Sequence, residues 1–279
     1  MTWLSVARKD FIDARRSKGL WALIAVYVGL LALLVYAASS NPRSTMTNIL
    51  QVLTLIGIFI IPISALVVAY LAIAGERESG SIKFLLGLPN TRLDLVVGKF
   101  VGRSAVIILG LLLAFGIAAF EGLFMLDSID FTVFAEFFLL FLYFGVTYVA
   151  IAVGLSSACA SRSRAMVSSV GVFFIFNVLW TIPPISPSSA LRFVAHDQLG
   201  IQLSPRIYEF VYLISPSYAF QRASGLVFSG GGVYHFRVLE HGAAIPFYLK
   251  KWFMLVILGA WLVVPLVLGY LSFERADLG

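Results

Sequence analysis

Charged side chains make up only 12% of the 279 residues, where a water-soluble domain carries about 25%. That shortage excludes an ordinary soluble globule, which needs a polar surface. Cysteine occurs once, at Cys159, so no internal disulfide forms and no metal site can be built on cysteine pairs. The three histidines, His196, His235 and His241, form no HExxH pair. A zinc enzyme of that kind is therefore excluded, and His196-Asp197 reads as a solvated loop pair. There is no GxxxxGK[ST] phosphate loop either. Gly98-Lys99 lacks both the upstream glycine and the following Ser or Thr, so ATP is not held here in that way.

What the chain has instead is apolar length. Hydrophobic residues make up 60% of it, the mean hydropathy is +0.97, and the apolar residues come in blocks. The blocks cover residues 20–38, 50–74, 104–124, 132–157, 166–182 and 252–271. Each is close to the roughly 20 residues that cross about 30 Å of hydrocarbon as a helix. They are too long and too uniformly apolar for barrel strands, which alternate over about 10 residues. The expected fold is an all-α polytopic membrane protein of one permease-like domain over 1–279, with six spans.

Basic residues set the expected orientation. Arg8, Lys9, Arg15, Arg16 and Lys18 precede the first block, and Arg77, Lys83, Arg92, Lys99 and Arg103 lie between blocks two and three. Arg162 and Arg164 follow block four, and Arg275 follows block six, whereas the opposite loops offer Arg43 and little else outside residues 183–251. By the positive-inside rule both termini are cytoplasmic and the protein is a multi-pass cell-membrane protein. The net charge of +6 then suits anionic lipid rather than nucleic acid, because the basic residues flank apolar blocks. The first block exceeds the 7–15 apolar residues of a signal peptide, and its removal would leave an odd number of spans, so it is expected to stay.

Residues 1–19 carry a helical pattern. Trp3, Leu4, Ala7, Phe11 and Ala14 share one side, with Arg8, Lys9, Asp13, Arg15 and Arg16 outside it and Val6, Asp10 and Ile12 blurring its edges. An interfacial helix with its apolar face in the bilayer is expected. Residues 183–251 form a long external loop between spans five and six. It contains Ser215-Pro216-Ser217, a Gly230-Gly231-Gly232 turn, and a stretch at 207–214 too short to span, expected as an external or re-entrant helix at the outer mouth.

The segment 75–103 is the most informative. Glu76-Arg77-Glu78 marks the exit of span two into water, and residues 82–86 suit a short amphipathic helix. Pro89 disfavours helix at the residue before it. Thr91 and Asp94 match the [ST]-x-x-[DE] capping box, so a new helix starts there and runs through Val97 and Phe100 into span three. A short helix held across the mouths of two spans can pass a push from a soluble partner; a plain solvated connector fits the same residues.

These residues resemble the region after the second span of type-2 ABC exporter permeases. The matching pieces are Glu76-Arg77-Glu78, Gly80-Ser81, Leu85-Leu86-Gly87-Leu88-Pro89, Arg92 and Gly98-Lys99-Phe100-Val101-Gly102, with Ala7-Arg8-Lys9-Asp10-Phe11 similar to the start of that family. The resemblance implies an exporter permease whose coupling helix docks on a separate ABC ATPase that carries the ATP, with no cofactor on this chain. It assigns the coupling contact to Glu76, Arg77, Glu78, Gly80, Ser81 and Lys83. Six spans are half the usual membrane domain, implying a homodimer or a paired permease. Members of the family move drugs, polysaccharides and peptides or support copper-enzyme maturation. The apolar spans favour hydrophobic cargo, and the few Met, Cys and His residues speak against a metal conduit.

Two other classes remain as alternatives. An ion-coupled secondary transporter or channel needs ionisable groups near mid-membrane. Here Glu121 and Glu136 sit near outer ends, Arg103 sits at an inner edge, and Ser64 and Asn177 are neutral. An intramembrane enzyme would need a GxSxG, an aspartate pair or a span histidine. None is present, and Ser156-Ser157 and Ser168-Ser169 suit helix packing.

Overall fold

In hydrocarbon every backbone amide must find its partner within the protein, which leaves helices as the spanning form for runs of this length. A computed structural model of the chain, describing residues 3–16, 18–41, 44–87, 90–228, 232–236 and 244–277, bears this out. Twelve α-helices occur among the described residues, and no strand does. Arg43, Leu88, Pro89, Gly230, Gly231 and His241 lie outside the described residues.

Six segments are long and apolar enough to cross a membrane. They follow a first helix, α1 (Trp3–Arg15). Span one is α2 (Lys18–Ser39), and span two is α3 (Met46–Ala69), started by a Thr45–Asn48 capping box. Two short helices, α4 (Ala74–Glu78) and α5 (Ser81–Gly87), follow. Span three is α6 (Arg92–Met125), and span four is α7 (Phe131–Ala158). Asp130 caps α7 by accepting from the amides of Thr132 at 3.0 Å and Val133 at 3.1 Å. Span five is α8 (Arg162–Phe174), which runs on through a π-helical turn at Ile175–Leu179. Helices α9 (Pro187–Arg192), α10 (Pro205–Leu213) and α11 (Pro216–Ser224) come next, and span six is α12 (Phe253–Glu274).

Helix α7 is the most enclosed span, while α2, α8 and α12 leave most of their apolar surface facing outward. Glycines set the closest approaches. A methyl on Gly154 of α7 or Gly269 of α12 would run into the backbone of the other helix. Gly57 of α3 makes room for the Phe141 ring, which lies 2.5 Å from where its Cβ would be.

The segment expected as an external loop folds back into the bundle. All nine residues of α11 are buried. Phe220 stacks on Phe144 with centroids 4.3 Å apart and ring planes at 12°. Ser217 donates to Asn177 Oδ1 at 2.7 Å and lies 2.7 Å from the Tyr148 hydroxyl, near the midpoint of α7. The corner between α10 and α11 is pinned by two indoles: Trp180 donates to the Tyr212 carbonyl at 3.0 Å and Trp261 to the Ile214 carbonyl at 2.7 Å. Polar atoms placed this deep are matched with partners, as burial demands. The expected helix at 207–214 exists as α10, but α11 is the one that enters the bundle.

Candidate functional site

Helix α1 lies across the start of α6 because two glycines remove the side chains that would keep them apart. A Cβ on Gly98 would lie 2.6 Å from Val6 Cβ and 2.8 Å from the Trp3 carbonyl. One on Gly102 would lie 2.9 Å from Asp10 Oδ2 and 3.1 Å from the Ala7 carbonyl. The face of α1 turned to the protein is thus Val6, Ala7 and Asp10, all buried, whereas Trp3 and Leu4 are exposed. Of the expected apolar face Ala7, Phe11 and Ala14 also pack inward, and Val6 and Asp10, which blurred its edges, are buried with them.

Close approach brings charges together. Lys99 Nζ sits 2.9 Å from Asp10 Oδ1 and 2.5 Å from Glu76 Oε1 on α4. Arg103 donates from Nη2 to Asp10 Oδ1 at 3.0 Å and from Nη1 to the Val68 carbonyl at 2.9 Å. Its Nε lies 2.8 Å from Asp10 Oδ2, an ion-pair contact without a well-aimed N–H. Asp10 is 3% exposed and Lys99 7%. Two carboxylates against two cations make the cluster neutral, the condition under which buried charge is tolerated. This cluster joins α1, α4 and α6.

The other charges of α4 reach further helices. Arg77 donates to the carbonyls of Ser157 at 3.4 Å and Cys159 at 3.0 Å, where α7 ends. Glu78 accepts from the Arg162 amide at 2.6 Å, at the start of α8. A cation on a helix C-terminus and an anion on an N-terminus both complement the helix dipole. Ser156 closes the set from α7 by accepting the amides of Ile73 and Ala74 at 3.0 and 3.1 Å, filling the cap that α4 lacks. On the far side of the turn, Arg92 donates to the carbonyls of Phe273 at 2.5 Å, Glu274 at 2.8 Å and Ala276 at 2.9 Å, gripping the end of α12.

Between α4 and α5 the chain turns at Gly80, whose φ of +75° is a conformation that favours glycine. Ser81 Oγ lies 2.9 Å from Ser79 Oγ and donates to the Glu76 carbonyl at 3.4 Å, bracing the turn. Along α5, Ile82 is buried at 2% exposure, Lys83 is exposed, and Phe84 stands 82% exposed. The expected capping box is present: Asp94 accepts from Thr91, and α6 runs unbroken into span three. Asp94 also accepts from the Trp3 amide at 3.1 Å.

Of the six residues singled out in the sequence, Glu76, Arg77 and the half-exposed Glu78 thus bond to other helices, Ser81 braces the turn that Gly80 makes, and Lys83 is exposed. Sequence reading missed the partners, Asp10, Lys99 and Arg103 as one cluster, and the exposed ring of Phe84. The G-K-x-x-G spacing held part of the signal, since two glycines four residues apart share one helix face and leave room for a close neighbour. The arrangement ties α1, α4, α6, α7 and α8 at one end of the bundle, with α5 as its outward face.

The family described as ABC-2 family transporter protein matches this chain over residues 4–278. The chain is similar to the "Probable ABC transporter permease protein NosY" of Stutzerimonas stutzeri, 28% identical over 97% of each chain. It is also similar to the protein of the same name in Pseudomonas aeruginosa, 30% identical over 76% of this chain and 78% of the other.

Proposed function

The chain belongs to the ABC-2 family of transporter proteins, and from that premise we propose that it is the membrane subunit of an exporter, working as a dimer and driven by a separate ABC ATPase bound at α5. Its chain termini and the α4–α5 pair lie on the cytoplasmic side, as the distribution of basic residues favours. The observation that carries this reading is the exposed α5 face, Lys83 and Phe84, mounted on α4, whose three consecutive charges each hold a different part of the bundle.

The mechanism follows from those tethers. Closure of the paired ATPases moves α5. Gly80 and the Ser79–Ser81 contact pass the movement to α4. From there Glu76 carries it to Lys99 and so to α1 and α6, Arg77 to the end of α7, and Glu78 to the start of α8. Helix pairs that move as units need contacts that do not slip, and the α1–α6 and α7–α12 glycine contacts supply them. At the other end, α11 and the Tyr148–Ser217–Asn177 chain respond to any shift between α7 and the π-helical turn of span five.

The test requires no knowledge of the substrate. In a Cys159→Ser background, a Leu226→Cys variant in vesicles with its ATPase is labelled with a membrane-impermeant thiol reagent, with and without ATP. Leu226 is half-exposed just past α11. ATP is expected to change the labelling rate. Adding Glu78→Lys, which sets a second cation against Arg162, is expected to abolish that change while ATP hydrolysis continues. An unaltered ATP response in the Glu78→Lys protein would refute the coupling assignment.

A further inference from the structure

A lateral groove of about 690 Å³ opens between α2, α3 and α6, at the level where α1 turns into α2. Asp13 and Arg103 line its polar end, and Ala22, Val26, Ile63 and Val67 line its flank. These four flanking side chains are exposed, Val67 at 65%. Along α2 the groove runs from Gly19 to Val26, a rise of about 10 Å at about 1.5 Å per residue. One leaflet of a bilayer offers about 15 Å of hydrocarbon depth. The groove thus starts at the interface and takes in the upper part of one acyl chain.

Its polar end carries both signs of charge. The four-residue cluster behind Arg103 is neutral in sum. Asp13, exposed, adds a negative charge at the mouth, and exposed Arg16 and Lys18 follow it in sequence. A guanidinium has five N–H donors, and Arg103 directs three of its nitrogens to Asp10 and Val68, so further N–H groups on the terminal nitrogens remain for an acceptor. A carboxylate beside cationic groups suits a zwitterion better than an anion, which Asp13 would repel. It also suits a primary ammonium, which offers three N–H donors to a carboxylate, better than a quaternary one, which offers none.

We propose that this groove is a binding site for one aminophospholipid, of the phosphatidylethanolamine class. Its ammonium pairs with Asp13, its phosphate with Arg103, and one acyl chain lies along Ala22, Val26 and Val67. A seated lipid fills the gap between α1, α2 and α3 and braces α1 against the bundle. This assignment stands on the groove alone and survives if the ATPase assignment fails.

Native mass spectrometry of the full chain in mild detergent tests it, with phosphatidylethanolamine, phosphatidylcholine and phosphatidylglycerol added in turn. One phosphatidylethanolamine per chain is expected to be retained in preference to the other two. Asp13→Asn, a surface change that spares the core, is expected to erase that preference. Val67→Trp, which fills the groove, is expected to lower retention roughly tenfold, the equivalent of about 1.4 kcal/mol. Equal retention of all three lipids, or retention unchanged in both variants, would overturn the proposal. So would disulfide crosslinking of two copies through Val67→Cys, because the groove would then be an interface between chains.

Discussion

Lys99 sits where two carboxylates from different helices meet, and its burial makes the arrangement costly to disturb. Removing one partner of a buried pair costs about 3–5 kcal/mol. Lys99→Met leaves Asp10 to Arg103 alone and Glu76 without its cation, so the loss is expected near the lower end of that range. Thermal unfolding of the purified protein reads it, and an unchanged midpoint would show that the cluster contributes nothing. Gly98 tests the packing beneath it. Alanine there drives a methyl into Val6 and the Trp3 carbonyl, and overpacking of this kind costs about 1–3 kcal/mol. Gly116, also within α6, has nothing within 4 Å of a new Cβ. Gly116→Ala is expected to be neutral or stabilising by up to about 1 kcal/mol, since glycine is the poorer helix former. The two substitutions are chemically identical, so opposite signs isolate the close approach of α1. Asp10 shows why this was hard to foresee: on a helical wheel it only blurs an apolar face, and its worth depends on a lysine 89 residues away.

At the scale of elements, what was legible followed local rules. Spans announce themselves by length and apolarity, and α6 by the Thr91–Asp94 box. The short helix after Gly80-Ser81 follows from turn chemistry. Helix α11 was not foreseen, although its start carries a usable sign. Ser186-Pro187, Ser204-Pro205 and Ser215-Pro216 each open a helix with serine at the cap position and proline in the first turn. Its depth was not legible, because nothing in nine residues with low apolar content says that α3, α7 and α12 leave room for them. Phe220 anchors it. Phe220→Ala removes the ring stacked on Phe144 and is expected to cost about 3–5 kcal/mol. Hydrogen exchange would show faster opening confined to α10 and α11, and uniform exchange across all helices would contradict an anchoring role.

Across the whole molecule, the two ends of the bundle do different work. One end gathers both described chain ends and the α4–α5 pair, and ties them by charge to five helices. The other holds α9, α10 and α11, packed by Phe and Trp rings and by hydrogen bonds, among them Arg222 to the Leu249 carbonyl and Tyr234 to the buried Glu209 carboxylate. The pairs Lys99–Asp10, Lys99–Glu76, Arg103–Asp10 and Arg162–Glu78 all lie at the first end. A machine driven from one side would be built this way, stiff where force enters and packed by shape where the path opens. The central claim is that α5 is where force enters. The most direct measurement is to purify the tagged protein in mild detergent from cells that make its ATPase and to assay ATP hydrolysis in the eluate. A soluble ATPase is expected to co-purify and to be lost in the Lys83→Glu, Phe84→Ala double variant, while the variant's thermal unfolding stays unchanged. An ATPase retained by that variant, or absent from an intact wild-type preparation, would contradict it.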